Sequence, residues 1–330
     1  MNITSRASIA VAVSTIFTTL LFTHTPAALA SALAAEPGRT QFKVLTYNVK
    51  GLPEVFGGYD NKHRFNEIGK VLGERRAQKT APQIVLIQEA FVDRTANINA
   101  EAKYPFSVKG PNSKAFGTEK NRLFGAGLII LSEYPFEKTD NTPFESGDCA
   151  GWDCFANKGV QVAEVKIDGM PFVLPIFNTH LQASKEECDA RIGQMKTLKT
   201  FITEKTSYDR PFLMAGDFNI TPGQKSFDWW ANESGLENVS IGCTTSNAGC
   251  EIEPETDPES LLRVDLHFFF RGIVRSANDP LSTFRVEIRP VRIAKTFKEV
   301  VRGKKLSDHL GVEVDYEVNW TPVGYRLGKN

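Results

Sequence analysis

Three features that assign many proteins to a class are missing from this 330-residue sequence. Lys plus Arg and Asp plus Glu both number 39, so there is no net charge that would predict a polyanionic partner. No Cys-x-x-Cys pair occurs, which disfavours a cysteine metal site. The sequence also lacks short internal repeats and low-complexity linkers. With 41% hydrophobic and 24% charged residues, it has the composition of a globular protein.

Apolar runs long enough to approach the width of a bilayer are missing everywhere except near the N-terminus. There, Arg6 precedes a mostly apolar run over residues 7–22, followed by Pro26 and small-x-small sites at 28–30 and 32–34. The run contains Ser and Thr and is short for a membrane span of about 20 residues. This order is typical of a secretory signal peptide. We therefore expect cleavage of residues 1–35, secretion to the periplasm or the extracellular space, and one domain over residues 36–330 with a short C-terminal tail.

The cysteines all follow the predicted signal peptide, and an exported protein meets oxidising conditions. They are five in number, so at least one thiol stays free or pairs outside the chain. We expect Cys243 to pair with Cys250 across a short turn. We also expect Cys188 to pair with Cys149 or Cys154 across neighbouring strands.

Apolar segments of strand type repeatedly end on polar side chains. Such segments occupy residues 42–49, 82–89, 125–132, 159–167, 172–180, 212–217, 261–270 and 310–316, and helical spacing marks 63–76 and 189–204. Because strands outnumber helices, we expect an α/β (α+β) fold in which two sheets pack together with helices outside. The polar residues near the strand ends are Asn48, Glu89, His180, Asp217, Asn219, Asp265, Asp308 and His309.

These residue types are the ones that metal-assisted hydrolysis of a phosphodiester requires. Mg²⁺ prefers oxygen ligands and usually takes one or two carboxylates, so Glu89 with the carbonyl of Asn48 suits it. A neutral imidazole accepts a proton from attacking water, and a neighbouring carboxylate fixes its tautomer. Asp308 precedes His309 in the chain, and Asp265 is available for His180. Each residue alone is more often structural, but their order along the chain is informative.

That order resembles the endonuclease/exonuclease/phosphatase superfamily, which includes DNase I, exonuclease III, inositol polyphosphate 5-phosphatases and neutral sphingomyelinases. The resemblance runs from about residue 42 to 316 and implies a four-layer αββα sandwich, DNase I-like, with Mg²⁺-dependent phosphoester cleavage. Mn²⁺ or Co²⁺ would be substitutes. The motifs that carry it are Tyr47-Asn48, Gln88-Glu89, Asn178-Thr179-His180-Leu181, Gly216-Asp217-Phe218-Asn219, Val264-Asp265 and Ser307-Asp308-His309.

Within the superfamily the sequence is similar to the secreted bacterial sphingomyelinases, through residues 127–135, 156–160 and 179–183 with Cys188 soon after. The resemblance implies that Glu89 is the main metal ligand, with Asn48, Asp217 and Asp308 in the ligand set. It implies that His309 is the general base and is oriented by Asp308. His180, held by Asp265, would stabilise the transition state. Asp217 and Asn219 would position water and phosphate oxygens, and Lys158 and Asn219 would contact the substrate.

The sequence departs from those sphingomyelinases before the final Ser-Asp-His. They tend to carry an exposed aromatic hairpin there, whereas residues 271–305 hold only Phe284 and Phe297 but ten Lys or Arg and three acids. This basic stretch is either a positive rim beside the site or a charged sheet edge. Three functions follow: a phospholipase C that acts at a phospholipid surface on sphingomyelin or a related lipid, a nuclease, or a binding module without activity. No obligate protein partner is expected.

Overall fold

The structure, a computed structural model, describes residues 36–111, 123–206, 209–245, 249–279 and 281–323. The strands in these ranges are β1 (Gly38–Asn48), β2 (Ile84–Gln88), β3 (Phe106–Lys109), β4 (Ile129–Ser132), β5 (Phe136–Pro143), β6 (Gly159–Val165), β7 (Leu174–His180), β8 (Phe212–Asp217), β9 (Glu237–Asn238), β10 (Glu251–Ile252), β11 (Asp265–Phe270), β12 (Gly272–Arg275), β13 (Thr283–Thr296), β14 (Val300–Val301), β15 (Lys304–Lys305) and β16 (Gly311–Pro322). The helices are α1 (Asn61–Ala77), α2 (Ala96–Ala102), α3 (Cys188–Thr206), α4 (Lys225–Glu233), α5 (Val239–Thr245) and α6 (Pro258–Leu261). Short 3-10 helices span Glu54–Phe56, Asp93–Thr95 and Gly151–Phe155.

The described strands form two large sheets. The first has the order β10-β13-β16-β1-β2-β4-β3 with β12 beside β13, and the second has the order β5-β6-β7-β8-β11-β9. β1 and β2 lie in the middle of the first sheet, and β7 and β8 lie in the middle of the second. β2 is buried along its whole length. This is expected where helices cover one face of a central strand and a second sheet covers the other.

Helices cover the outer face of each sheet. α1 packs Phe65 and Ile68 against Leu45 of the first sheet, and α3 packs Leu198 against Phe177 of the second. The inner faces meet each other, as shown by the His267 ring of β11, whose Nδ1 lies 3.2 Å from the Tyr316 hydroxyl of β16. The predicted four-layer αββα sandwich is confirmed.

The strand predicted over residues 261–270 begins later than expected. Residues Pro258–Leu261 form α6, because the Asp257 carboxylate accepts a hydrogen bond from Glu259 N at 3.1 Å and caps the helix. β11 therefore begins at Asp265, so this carboxylate belongs to the first residue of the strand.

Three side chains of the basic stretch are paired with acids. β13 lies inside the first sheet, between β16 and the pair β10 and β12. Arg289 lies 2.8 Å from Glu317, Arg292 pairs with Glu253, and Lys298 lies 3.8 Å from Glu255. Acids from neighbouring elements balance these three side chains, so these three do not contribute to a positive rim.

The disulfides differ from the prediction in one pair. Cys243 and Cys250 are bonded as predicted. Cys149 pairs with Cys154 and not with Cys188, because the 3-10 helix Gly151–Phe155 brings their Cα atoms to 5.3 Å. Cys188, at the start of α3, is a free thiol.

The predicted signal peptide, residues 1–35, and most of the C-terminal tail lie outside the described residues, so both stay predictions. In the part of the chain that the structure describes, none of the helices has the length and apolar character needed to cross a membrane.

The disulfide assignment predicts which thiol reacts. Alkylation of the denatured, unreduced protein should label Cys188 fully and leave the other four cysteines unlabelled, as measured by mass spectrometry of peptides. Reduction before alkylation should label all five. Stoichiometric labelling of Cys149 or Cys154 without reductant would contradict the pairing.

Candidate active site

Strand register brings the polar strand ends together. β1 runs parallel to β2 with Asn48 beside Gln88, so Glu89 is next to Asn48. β7 runs parallel to β8 with His180 beside Asp217, and β11 runs antiparallel to β8 with Asp265 beside Asp217. The strand ends of the first sheet and those of the second sheet meet where the inner faces of the two sheets pack.

The side-chain amide of Asn48 joins the two groups. Its Nδ2 donates to Glu89 Oε1 at 2.9 Å and to Asp217 Oδ2 at 2.9 Å, so one amide serves a carboxylate from each sheet. Both carbonyl oxygens of Asn48 accept a hydrogen bond: Oδ1 from Lys50 N at 3.0 Å, and the main-chain oxygen from Ser307 Oγ at 2.7 Å. Asn48 therefore positions the carboxylates, and its role as a metal ligand stays a prediction.

The backbone at Glu89 is held in an unusual conformation. Its φ is 56°, which turns the chain immediately after β2. Gly51 N donates to the Glu89 carbonyl oxygen at 2.9 Å. A Cβ atom at position 51 would lie 2.2 Å from that oxygen, so only glycine permits the loop after β1 to approach Glu89 so closely.

His309 is paired with Asp265. Its Nδ1 lies 2.9 Å from Asp265 Oδ2, and its Nε2 lies 3.9 Å from Asp217 Oδ2. Burial lowers the pKa of His309, but the hydrogen bond to Asp265 and the charges of Asp265, Asp217 and Asp308 outweigh it and raise the pKa to about 10. Without a bound cation His309 is therefore an imidazolium at neutral pH.

Asp308 does not orient His309, which corrects the prediction. Its Oδ2 accepts a hydrogen bond from Lys50 Nζ at 2.7 Å, and its side chain is half-exposed. Asp265 takes the orienting role because strand register places it next to Asp217, within reach of His309. Lys50 was not singled out from the sequence, since nothing in its local pattern marks it.

His180 is buried, and its partner is Lys158, not Asp265 as predicted. Lys158 Nζ lies 3.1 Å from His180 Nε2 and donates to the Leu181 carbonyl and Asp153 Oδ2, both at 2.7 Å. An ammonium group only donates, so His180 Nε2 accepts and the ring proton is on Nδ1. Burial, together with the charge of Lys158, lowers the pKa of His180 to about 3, so the ring is neutral at neutral pH.

Asn219 follows β8 with a φ of 51° and lies beside Asp217. Its backbone N donates to Asp217 Oδ1 at 3.0 Å, and its Nδ2 donates to the Leu181 carbonyl at 3.0 Å. Asn219 and Lys158 thus share the Leu181 carbonyl, and both predicted substrate contacts belong to the same cluster.

Two buried arginines fix the loops that follow the site strands, and the sequence reasoning missed both. Arg64 on α1 donates to the carbonyls of Val49, Lys50 and Leu306 at 2.5–2.9 Å. Arg191 on α3 donates to the carbonyls of three consecutive residues, Gln182, Ala183 and Ser184. Each arginine lies four residues before a core residue, Ile68 or Met195, and this placement on the apolar helix face was the available signal.

Residues 45–309 match the endonuclease/exonuclease/phosphatase family. The chain belongs to this family. No curated protein sequence matches the chain significantly.

Solved structures resemble this family member at low sequence identity. A beta toxin mutant from Staphylococcus aureus with bound magnesium ions aligns with a TM-score of 0.59 and 17% identity, over 83% of this chain and 99% of that one. Sphingomyelinase C from Streptomyces griseocarneus aligns with a TM-score of 0.59 and 19% identity, over 84% and 99%. D. rerio TDP2 complexed with single-strand DNA product aligns with a TM-score of 0.56 and 18% identity, over 84% and 99%. At these identities the likeness shows the fold.

The carboxylates of this family member have fewer donors than their charge requires. Glu89 and Asp217 share one amide, and Asp265 Oδ1 is buried without a hydrogen-bond partner among the described residues. Burial raises the pKa of Glu89, and the charge of Asp217 adds to this. Ligand atoms of Asp217, Asp265 and His309 lie within 4.8 Å of one another. These oxygen donors fit a hard divalent cation.

Glu89 and Asp217 are the best candidates to hold such a cation. Asp265 Oδ2 is occupied by His309, which makes these two residues an acid–histidine pair. Asp308, a predicted ligand, forms an ion pair with Lys50 at 2.7 Å, and its role as a ligand stays a prediction.

A groove of about 450 Å³ opens directly onto this cluster. Glu89, Lys158 and His180 line one part of it. The remaining lining residues are mainly apolar: Leu52, Val55, Phe56, Phe91, Phe124, Trp152, Asp153, Phe155 and Ala156.

The pairing of His309 with Asp265 predicts that the raised pKa of His309 depends on this carboxylate. In cation-free protein, Asp265→Asn should lower the pKa of His309 from about 10 towards the ordinary value of about 6.5, because both the hydrogen bond to a carboxylate and its charge are lost. Histidine NMR titration in EDTA measures this. Asp308→Asn, which removes the weakest of the three charges, is the control and should lower the pKa less. An unchanged pKa in Asp265→Asn would contradict the pairing.

The contacts of Arg64 predict a loss of stability. Arg64→Met should lower the free energy of unfolding by at least about 2 kcal/mol, because two buried carbonyls lose a donor at a cost of roughly 1–3 kcal/mol each and a third, partly buried carbonyl loses one as well. Urea unfolding is the measurement. Arg94→Met, an exposed arginine, should stay within about 0.5 kcal/mol of the wild type. Equal effects of the two substitutions would show that Arg64 does not hold the loops.

Proposed function

We propose that this protein is a secreted, Mg²⁺-dependent phosphodiesterase of phospholipase C type, active after removal of residues 1–35. It hydrolyses sphingomyelin or a related phospholipid to ceramide or diacylglycerol and a phosphorylated headgroup. The observation that carries the proposal is the groove: Glu89, Lys158 and His180 lie in the wall of a groove whose other lining is mainly apolar. A phosphoester bound at the carboxylates would have its apolar substituent in that groove.

The similar solved structures support this substrate class and cation. A sphingomyelinase and a beta toxin with bound magnesium ions share the fold. Glu89 and Asp217 would hold Mg²⁺, and Mn²⁺ or Co²⁺ would fit the same oxygen donors. A cation there would compensate the phosphoryl charge and polarise a phosphoryl oxygen.

His309, held by Asp265, is the general base. Asp265 holds His309 by Nδ1 and leaves Nε2 directed towards Asp217. In its neutral form His309 takes a proton at Nε2 from the water that attacks phosphorus in line with the leaving lipid alcohol. Because the charge of Asp217 contributes to the raised pKa of His309, positive charge added at Asp217 lowers that pKa and favours the neutral form.

Lys158 and His180 act on the other side of the cluster. The Lys158 ammonium is buried against the His180 ring and lines the groove, so its positive charge lies where charge develops on the phosphoryl oxygens. Asn219 and Asp217 complete the rim of the site and position water and phosphate oxygens.

A secreted nuclease is the second candidate, because a structure of TDP2 with single-strand DNA product has the same fold. The groove favours the lipid: Lys158 is the one basic residue among its described lining residues, and Asp153 already pairs with it. Binding of a nucleic-acid backbone relies on several basic side chains that contact phosphates. A binding module without activity is the third candidate, and it is disfavoured because both the carboxylates and the acid–histidine pair are in place.

The proposal predicts the effect of removing one carboxylate. Glu89→Gln should lower Mg²⁺ affinity at least about 10-fold, measured by isothermal titration calorimetry, and turnover at least about 100-fold, because an oxygen ligand loses its charge. Glu204→Gln, an exposed acid on α3, should match the wild type in both. Normal Mg²⁺ affinity in Glu89→Gln would contradict the role of Glu89.

The substrate is tested with one panel in Mg²⁺. Sphingomyelin, phosphatidylcholine and phosphatidylinositol vesicles are compared with plasmid DNA and RNA, and each is repeated in EDTA. Hydrolysis of at least one phospholipid and none of the nucleic acids is the expected result. Faster cleavage of DNA than of every lipid would overturn the proposed function.

A further inference from the structure

Four large apolar side chains are exposed around the mouth of the groove. Their exposed fractions are 85% for Val55, 42% for Phe56, 79% for Trp152 and 39% for Phe155. We call these four residues the aromatic mouth. They come from two separate 3-10 helices, Glu54–Phe56 after β1 and Gly151–Phe155 in the turn closed by a disulfide. Clusters of exposed apolar side chains on a soluble domain mark interaction sites.

The aromatic mouth is continuous with the active site. All four residues line the same groove as Glu89, Lys158 and His180. Ring contacts extend from the surface inwards: the Phe56 and Phe124 centroids lie 5.5 Å apart, and Phe124 lies 5.8 Å from Phe91. A molecule bound in the groove therefore lies next to Glu89, Lys158 and His180.

The chemistry of the aromatic mouth fits a lipid surface. Trp and Phe side chains partition into the interface of a bilayer. The charged residues on the two 3-10 helices are Glu54 and Asp153, and Asp153 pairs with Lys158, so neither helix carries a free positive charge that would attract a polyanion or an anionic bilayer. The surface that matches this combination is zwitterionic phospholipid.

The turn that carries Trp152 also contacts the catalytic cluster. Asp153, the next residue, accepts hydrogen bonds from Lys158 Nζ at 2.7 Å and from Ala183 N at 2.5 Å. Lys158 in turn contacts His180 at 3.1 Å. The disulfide between Cys149 and Cys154 closes the turn, so Trp152 and Asp153 are held in one rigid segment.

We propose that the aromatic mouth is the surface by which the protein docks on a zwitterionic phospholipid bilayer, and that the groove receives the apolar part of the lipid next to its phosphoester. This inference rests on the proposed function. It assigns the docking role to the segments after β1 and at the disulfide turn.

Tryptophan fluorescence tests docking without depending on turnover. The chain has four tryptophans, and Trp229, Trp230 and Trp320 are buried or half-buried, so Trp152 dominates any response to an added surface. With EDTA present to prevent hydrolysis, phosphatidylcholine–sphingomyelin vesicles should shift the emission to shorter wavelength, and brominated phosphatidylcholine should quench it. The shift should be absent in Trp152→Phe.

A double variant tests the consequence for activity. Phe56→Ser combined with Trp152→Ser should lower vesicle binding at least about 10-fold, since two aromatic side chains no longer enter the bilayer. The ratio of turnover on vesicles to turnover on a short-chain, monomeric phospholipid should fall at least about 10-fold as well. Circular dichroism checks that the variant is folded.

Leu281→Ser is the matched control. Leu281 is 92% exposed but precedes β13, whose first residues pair with the end of β16 and so lie near the start of β1, away from Asn48. It should bind vesicles like the wild type.

The outcomes separate this inference from the proposed function. If the protein hydrolyses phospholipid but the double variant keeps wild-type vesicle binding and turnover ratio, the inference is wrong and the proposed function stands. If no phospholipid is hydrolysed, the proposed function fails regardless of the fluorescence result. If DNA shifts the emission of Trp152 and vesicles do not, the aromatic mouth binds nucleic acid and the inference is overturned.

Discussion

The site depends on one amide that serves two buried carboxylates. Asn48 Nδ2 lies 2.9 Å from both Glu89 Oε1 and Asp217 Oδ2, and these acids belong to different sheets. The amide of Asn48 and the Asn219 backbone N are neutral donors, so they leave the negative charge of the two carboxylates uncompensated, which is the electrostatic condition for binding a cation. The same amide requires that the sheets pack in one arrangement, since Asp217 reaches Asn48 only across the interface.

The loops around this amide are held by groups that are themselves buried. Arg64 binds the carbonyls after β1, and Arg191 binds the carbonyls after β7. Gly51 lets the first of these loops lie against the Glu89 backbone. A catalytic arrangement needs such support, because a site whose supporting residues are loose loses its geometry. In this protein the support comes from helices on the outside of each sheet.

Three buried or partly buried histidines show how the surroundings decide what a residue type does. His267 donates from Nε2 to the Val312 carbonyl, and burial lowers its pKa to about 4. His180 lies beside the Lys158 ammonium and also stays neutral. His309 faces carboxylates, and its pKa rises to about 10. Of the three, His309 alone is surrounded by carboxylates, so positive charge added at Asp217 would lower its pKa and favour the neutral ring that accepts a proton.

The amino-acid sequence by itself determined the central strands of both sheets, the two long helices α1 and α3, and the polar residues at the strand ends. It did not reveal the edge strands β3 and β5 or the shorter helices α2, α4 and α5. Alternation and helical spacing are properties of neighbouring residues, so they can be read along the chain, and the order of motifs from Asn48 to His309 indicated the family. Tertiary structure decided the partners. Asp265 binds His309 because β11 runs antiparallel to β8. Lys50 forms an ion pair with Asp308, and Cys149 forms a disulfide with Cys154. The aromatic mouth also depends on two segments about 100 residues apart, Glu54–Phe56 and Gly151–Phe155, that meet only after folding. These contacts join residues whose separation in sequence carries no signal of their proximity, because register and sheet packing set the distance between them.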